Sequence, residues 1–339
     1  MGRVLQWLGL GVFVMSIVLN VYLLMLLAVR PDRAFDRSVL RAGSTDQVIA
    51  VYKIQGLLNS QQAARFHGFC REVGDDDNVR AVVLRVVSPG GTVGASDQMH
   101  AMVEGLKQAG KKVVISMGDI AASGAYYVSA PADEIVAEPT TVTGSIGVMA
   151  SWVIFSGTLE KVGAESMVLR STHSRGWKDA ISILRKPHDR QRRHLLKLLD
   201  EMQGRFEQLV RNGRGNKLPK AVLDSRMIPV APKVAVNQAG KTEDIQDEPP
   251  DPFNGNVYLA HQAKELGLVD DIGYQSKAID RAAELAQLRD PEVVEYTRRR
   301  GMLERMLGGV QSAGSGVRWD RNWLDELQTP RIMMLWKAE

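Results

Sequence analysis

Val79-Arg80-Ala81-Val82-Val83-Leu84-Arg85-Val86-Val87 is a run of β-branched and apolar residues interrupted by two arginines, and it ends in Ser88-Pro89-Gly90-Gly91. A run that is apolar at nearly every position, rather than at alternate ones, has the pattern of a strand buried on both faces. Pro-Gly-Gly stops it. Outward from this run, Val48 to Leu57 reads as an earlier strand, with helical spacing from Gln61 to Val73 between the two. Ala95 to Leu106 and Lys112 to Met117 follow as the next helix and strand. Strands and helices in alternation argue for βαβ units on a largely parallel sheet, an α/β fold. Asn59 with Gln62 three residues later signals a helix start, and Asp75-Asp76-Asp77-Asn78 reads as a solvated turn rather than a cation site. Farther along, His188 to Val210 has the spacing of a long amphipathic helix, and Tyr258 to Leu266 and Gln275 to Leu288 of two shorter ones.

Composition narrows the function classes. With 339 residues, 45% hydrophobic and 24% charged, the chain is neither disordered, collagenous nor a multi-span membrane protein. Its one cysteine, Cys70, excludes an intramolecular disulfide framework. A net charge of +4 with 6% aromatics is too small a basic excess to point to nucleic acid, and it favours a lipid surface instead. From Trp7 to Val29 the chain is uncharged, which suits a hydrocarbon core needing roughly 20 apolar residues. The run ends in Val29-Arg30-Pro31-Asp32 rather than a small-residue cleavage site, so it reads as an uncleaved anchor. Arg30, Arg33, Arg37 and Arg41 outnumber Arg3, and charge bias alone would place the body in the cytoplasm. The organisation expected is an anchor over 1–30, a juxtamembrane linker over 31–46, a catalytic domain over 47–290 and an extension over 291–339. A proline-rich, acidic surface insertion is expected over 230–254. No internal repeat is visible, which gives one catalytic unit per chain.

Four clusters carry chemistry. Ser88-Pro89-Gly90-Gly91 closes a buried strand, and paired glycines there allow N–H groups to face outward toward an oxyanion or a phosphate. The phosphate version lacks both G-x-G-x-x-G and a following G-K-[ST]. Gly118-Asp119-Ile120-Ala121-Ala122-Ser123-Gly124-Ala125-Tyr126-Tyr127 follows another strand and opens a small-residue helix. Its serine is either a nucleophile or a helix cap. Thr143-Gly144-Ser145-Ile146-Gly147-Val148 is the third cluster, and Ser174-Arg175-Gly176-Trp177-Lys178-Asp179 the fourth. A lysine acts as general base when its surroundings lower its pKa, and Trp177 offers Lys178 an apolar neighbour.

In this order the clusters resemble the signal peptide peptidase A family, membrane-anchored serine proteases with a Ser-Lys dyad on the crotonase/Clp protease-like fold. The resemblance runs from about Val48 to Ala283 and includes Ala263-Lys264-Glu265-Leu266-Gly267-Leu268-Val269-Asp270. It implies Ser123 as nucleophile, Lys178 as base, Ser145 as the residue orienting the lysine, and the N–H groups of Gly91 and Gly124 as oxyanion hole. It implies no cofactor. It also implies a homo-oligomeric ring in which serine and lysine come from adjacent subunits, a protease body outside the cytoplasm, and substrates such as signal-peptide remnants or other apolar peptides. The stretch Thr172-His173-Ser174-Arg175-Gly176 before the lysine is longer and more polar than the family's usual Ser-Gly.

Ala235 to Thr242 matches a relaxed Walker A pattern, but acidic residues and Pro249-Pro250 follow where a phosphate-binding helix should begin. His100 is the histidine placed to complete a Ser-His-Asp triad, against its reading as a helix-face residue. No H-E-x-x-H or Cys/His array is present, so no catalytic metal is expected. The competing functions are a non-catalytic membrane-bound peptide-binding scaffold and a crotonase-type acyl-CoA enzyme.

Overall fold

The computed structural model describes residues 2–28, 35–174, 176–220, 222, 251–299 and 331–335. Ala235 to Thr242 and most of the expected 230–254 insertion lie outside the described residues. The chain divides into two compact units, one of residues 1–36 and 298–318 and the other of 37–297 and 319–339. The first contains α1 (Gly2–Ala28), whose stretch Gln6–Leu24 has mean hydropathy 2.1 and is long enough to cross a membrane. Asn20 does not interrupt it, because its side-chain amide donates to the Ser16 carbonyl at 2.7 Å within the helix.

The second unit is a mixed α/β sheet. Its strands are β1 (Phe35–Arg41), β2 (Ser44–Gln55), β3 (Val79–Ser88), β5 (Lys112–Ala122), β6 (Glu134–Ala137), β7 (Val142–Gly144), β9 (Val257–Leu259), β10 (Asp271–Ile272) and β11 (Pro291–Arg298). They run in the order β1-β11-β2-β3-β5-β6-β10, with β7 beside the far end of β5 and β9 beside β7. Pairing is parallel from β11 through β10, as alternating strands and helices require, and antiparallel between β7 and β9. A second sheet holds β4 (Gly90–Thr92), β12 (Arg331–Leu335) and β8 (Met149–Ser151).

Helices cover both faces. Ile49, Val51, Ala81, Val83, Val114, Val136 and Val293 face Ala278 and Ala282 of α8 (Gln275–Leu285). On the other side Tyr52 stacks on Phe69 at 4.4 Å, and Phe69 meets Tyr296 edge-on at 5.5 Å, under α2 (Ser60–Gly74). Asn59 caps α2 by accepting from the Gln62 N–H at 3.0 Å. α3 (Val93–Gln108) follows β3 and β4, α4 (Gly124–Ser129) follows β5, and α6 (Asp189–Arg214) is the long amphipathic helix expected from His188. Between them stands the short α5 (Ser156–Lys161).

The sheet reaches past the expected domain limits on both sides. β1 lies in the stretch read as a linker, and β11 pairs in parallel with β2 in the stretch read as an extension. The buried Val293, Val294 and Tyr296 hold β11 there. Tyr258 to Leu266 is not one helix but β9 followed by α7 (Ala260–Glu265). Asp251 to Asn254 form a turn in which the Tyr258 hydroxyl donates to the Asp251 carbonyl at 2.9 Å and Phe253 is buried, so this end of the expected insertion is fastened down.

One buried ion pair ties α6 to the sheet edge. Arg214 is 1% exposed, and its guanidinium donates to Asp270 at 2.9 Å and to the Gly267 carbonyl at 2.9 Å. Asp270 also accepts from the Ile135 N–H at 2.8 Å and pairs with Lys217 at 2.8 Å. Burial alone would raise the Asp270 pKa, but the bonds from Arg214 and Lys217 hold it below the ordinary carboxylate value. The folded state therefore favours the charged form. Its contribution is complete above the unfolded pKa near 3.9 and is lost as pH falls through the lower folded value. Asp270→Ala leaves a buried guanidinium uncompensated and should cost about 3–5 kcal/mol in a urea unfolding series at pH 7. A loss under about 1 kcal/mol would contradict this role.

Candidate active site

β3 and β5 lie side by side and finish together, with Ser88 opposite Ala121. The carboxyl ends of strands in an open α/β sheet are where side chains and helix starts converge on a cleft. Both glycine-rich clusters of the sequence stand there. β5 ends at Ala122, paired with Gly144 of β7, and the Ser123 N–H donates to the Gly144 carbonyl at 2.8 Å. The Ser123 carbonyl then accepts from the Tyr127 N–H at 2.9 Å and opens α4. These two bonds hold Ser123 at φ 56° and ψ −118°, a conformation that costs a non-glycine residue about 1–3 kcal/mol.

The hydroxyl does not cap the helix it precedes. Ser123 is 1% exposed, and its Oγ has no hydrogen-bond partner among the described residues. A buried, unsatisfied hydroxyl on a strained backbone is costly twice over, which is the opposite of what a structural cap provides. α4 itself is wholly buried. The Tyr126 hydroxyl donates to the Leu268 carbonyl at 2.9 Å, and the Tyr127 hydroxyl to Asp97 at 2.7 Å, where Arg205 of α6 also donates at 2.6 Å. The serine thus stands on a short helix locked from both sides.

Gly124 is the first residue of α4, where an N–H has no partner one turn back. Gly91 lies in β4, which packs against α4. On one edge of β4, the Gly90 carbonyl accepts from the Leu58 N–H and the Thr92 N–H donates to the Leu58 carbonyl, both at 2.9 Å. Strand alternation turns the N–H and carbonyl of Gly91 to the other edge. A side chain cannot be added here, because a Cβ at Gly91 would fall 2.0 Å from the Leu58 carbonyl oxygen. Ser145 follows Gly144 directly and is 7% exposed, with φ 49°. Its N–H donates to the Asn256 carbonyl at 2.7 Å. Gly144 has φ 83°, and a Cβ there would meet the Tyr258 ring at 2.7 Å. Asn256 and Tyr258 were not singled out in the sequence, since a backbone carbonyl and a ring packed on a glycine leave no motif.

Ser123, Gly124, Gly91 and Ser145 therefore converge, and Lys178 does not join them within the described residues. Lys178 is exposed and makes no hydrogen bond or ion pair with Ser123 or Ser145 there. Trp177 gives it no apolar niche: the indole meets His194 edge-on at 5.2 Å and lies under Arg190 at 4.8 Å. The neighbouring Asp179 is paired with Arg170 and Arg185, and the bond from Arg170 holds its pKa down to about 2. His100 is spoken for in the core. Its Nδ1 lies 3.0 Å from the Tyr127 carbonyl and its ring packs edge-on to Tyr127 at 5.4 Å, so it reads as the helix-face residue and not as a triad base. Beside β8, an apolar pocket of about 230 Å³ is lined by Ala150, Trp152, Ile181, Leu195 and Leu199. No cluster of three or more potential metal ligands occurs among the described residues.

A family model described as peptidase family S49 matches residues 105–225, the stretch that holds Ser123, Gly124, Ser145 and Lys178. Protease 4 of Haemophilus influenzae is 33% identical over 226 residues, covering 66% of this chain and 31% of its own length. A putative signal peptide peptidase SppA of Enterococcus faecium is 31% identical over 226 residues, covering 67% of this chain and 57% of its own length. The chain thus spans less than two thirds of these curated relatives. Among solved structures, a ClpP1 variant from Listeria monocytogenes is similar over 69% of this chain and 95% of its own, at 13% identity and a TM-score of 0.37. With the glycine-paired turn, the serine junction and the Gly-Ser-Ile-Gly strand meeting at one sheet edge, the chain belongs to the signal peptide peptidase A family of S49 peptidases.

Proposed function

We propose that this chain is a membrane-anchored serine endopeptidase that cleaves apolar peptides such as signal-peptide remnants through an acyl-enzyme. The observation that carries the reading is the Ser123 hydroxyl, buried, unpartnered and held on a strained backbone at the start of α4. In the reaction the Ser123 Oγ attacks the peptide carbonyl and its proton passes to the neutral amine of Lys178. The oxyanion is held by the N–H groups of Gly91 and Gly124. The lysine then gives the proton to the leaving amine, and water hydrolyses the acyl-enzyme. α1 supports membrane anchoring, and family likeness favours a body outside the cytoplasm, against the arginine count.

The assignment of Lys178 rests on the family motif, and its exposure in one chain supports a site completed by a neighbouring subunit. Val162, Met167 and Leu169, before the lysine, are 71%, 85% and 90% exposed. Large apolar side chains left in water mark a surface that another protein covers. A second subunit packed there would take the amine out of water.

Ser123→Ala should lower peptide hydrolysis by at least about 10³-fold in the purified, folded protein, and near-normal turnover would sink the nucleophile assignment. Lys178→Arg should be inactive, because guanidinium stays charged. Mixing the Ser123→Ala and Lys178→Ala variants under subunit exchange should restore part of the activity, whereas no recovery at any ratio would confine the dyad to one subunit.

The backbone strain has its own test. Glycine relieves the positive φ but loses more chain entropy, so Ser123→Gly should be more stable than Ser123→Ala by about 1 kcal/mol in a denaturant series. A glycine variant of equal or lower stability would contradict the strain.

A further inference from the structure

Lys178 is exposed, yet the chain on either side of it is fixed. It is the second residue of a turn closed by the Ala180 N–H, which donates to the Trp177 carbonyl at 3.2 Å, and Trp177 rests on α6 through His194 and Arg190. Two further side chains hold its flanks. Gln191, in the first turn of α6 and 4% exposed, donates its amide to the Gly176 carbonyl. Arg185 donates to the Asp179 carboxylate at 2.9 Å and to the Asp179 carbonyl at 3.3 Å. The two are joined, because the Arg185 guanidinium also donates to the Gln191 Oε1 at 3.2 Å. One connected pair therefore grips the chain two residues before Lys178 and one residue after it. Helix capping alone does not account for Gln191. Its Oε1 accepts from the His188 N–H at 2.9 Å, and a glutamate would accept there equally well. What glutamate lacks is the donor that reaches Gly176.

We infer that Arg185 and Gln191 are positioning residues for Lys178, setting the backbone from which its amine reaches the nucleophilic serine. The inference rests on the peptidase reading above, in which Lys178 is the base. A general base must stand within hydrogen-bond reach of the proton it takes, and a long side chain on a loose loop samples that geometry rarely. Fixing Gly176 and Asp179 leaves only the lysine side chain itself to be ordered. Neither Arg185 nor Gln191 bonds to Ser123 or Ser145 among the described residues, so both act through the lysine.

The decisive variant is Gln191→Glu, which keeps the acceptor for His188 and Arg185 and removes only the donor to Gly176. Gln191→Met, of similar size, removes both. Melting curves and light scattering verify that the full-length variants fold and assemble as the unaltered chain does. Gln191→Glu should lower kcat by about 10²-fold with KM within about twofold, the effect of a catalytic group misplaced by about 1 Å, and Gln191→Met should lose at least as much. In a Lys178→Ala background, with turnover read on an activated ester, Gln191→Glu should change the rate by less than about twofold, because the group it positions is gone. Hydrogen exchange reads the clamp apart from catalysis: amides of residues 176–186 should exchange at least about tenfold faster in Gln191→Glu, with α4 unchanged. Unchanged kcat, unchanged exchange at 176–186, or a full further loss in the Lys178→Ala background would each overturn the inference. Faster exchange in a protein whose unaltered form hydrolyses no peptide would refute the peptidase reading, and the positioning role with it. Peptide hydrolysis that survives Gln191→Glu undiminished would refute the positioning role and leave the peptidase standing.

Discussion

The bond from the Ser123 N–H to the Gly144 carbonyl is the constraint on which the site depends. It extends the β5–β7 pairing one residue past the end of β5 and turns the chain so sharply that Ser123 takes a positive φ. Everything around the serine serves to hold that turn. Gly144 lacks a side chain because Tyr258 occupies the space, β9 pins β7 from the outside, and the carbonyl of Asn256 fixes Ser145. α4 is short, wholly buried and anchored by both tyrosine hydroxyls, so the strain at its start cannot relax by shifting the helix.

Stability and function pull against each other here, and the structure separates them in space. The parallel sheet, its apolar faces and the Arg214–Asp270 pair hold the body together. The carboxyl edge carries the costs: a buried hydroxyl without a partner, two non-glycine residues at positive φ, and glycines pressed against carbonyls. Such costs persist when the surrounding packing over-determines the conformation.

Much of this was legible in the chain. The near-continuous apolar run at Val79 to Val87 gave a strand buried on both faces, and Asn59 marked the start of α2 where its side chain does cap the helix. The four clusters were legible as chemistry because their residue types are unusual at strand ends. β11 was missed although Val293, Val294 and Tyr296 carry a strand pattern, because a parallel partner more than 200 residues away, β2, leaves no local trace. β9 was absorbed into a helix since three residues are too few for a period to show. The sequence suggested that Trp177 would shelter Lys178, but the indole is taken by His194 and Arg190 of α6, a contact set by tertiary packing. The backbone of Ser123 was beyond reach for the same reason: serine has no intrinsic preference for that conformation, and only the pairing with Gly144 imposes it.

The central claim is that this one serine, among many in the chain, is chemically set apart. Labelling with a fluorophosphonate probe, followed by peptide mass spectrometry, tests it most directly. The account predicts a single phosphonylated residue, Ser123, with labelling abolished in Ser123→Ala. Label on another residue, or label that persists in the Ser123→Ala protein, would contradict it.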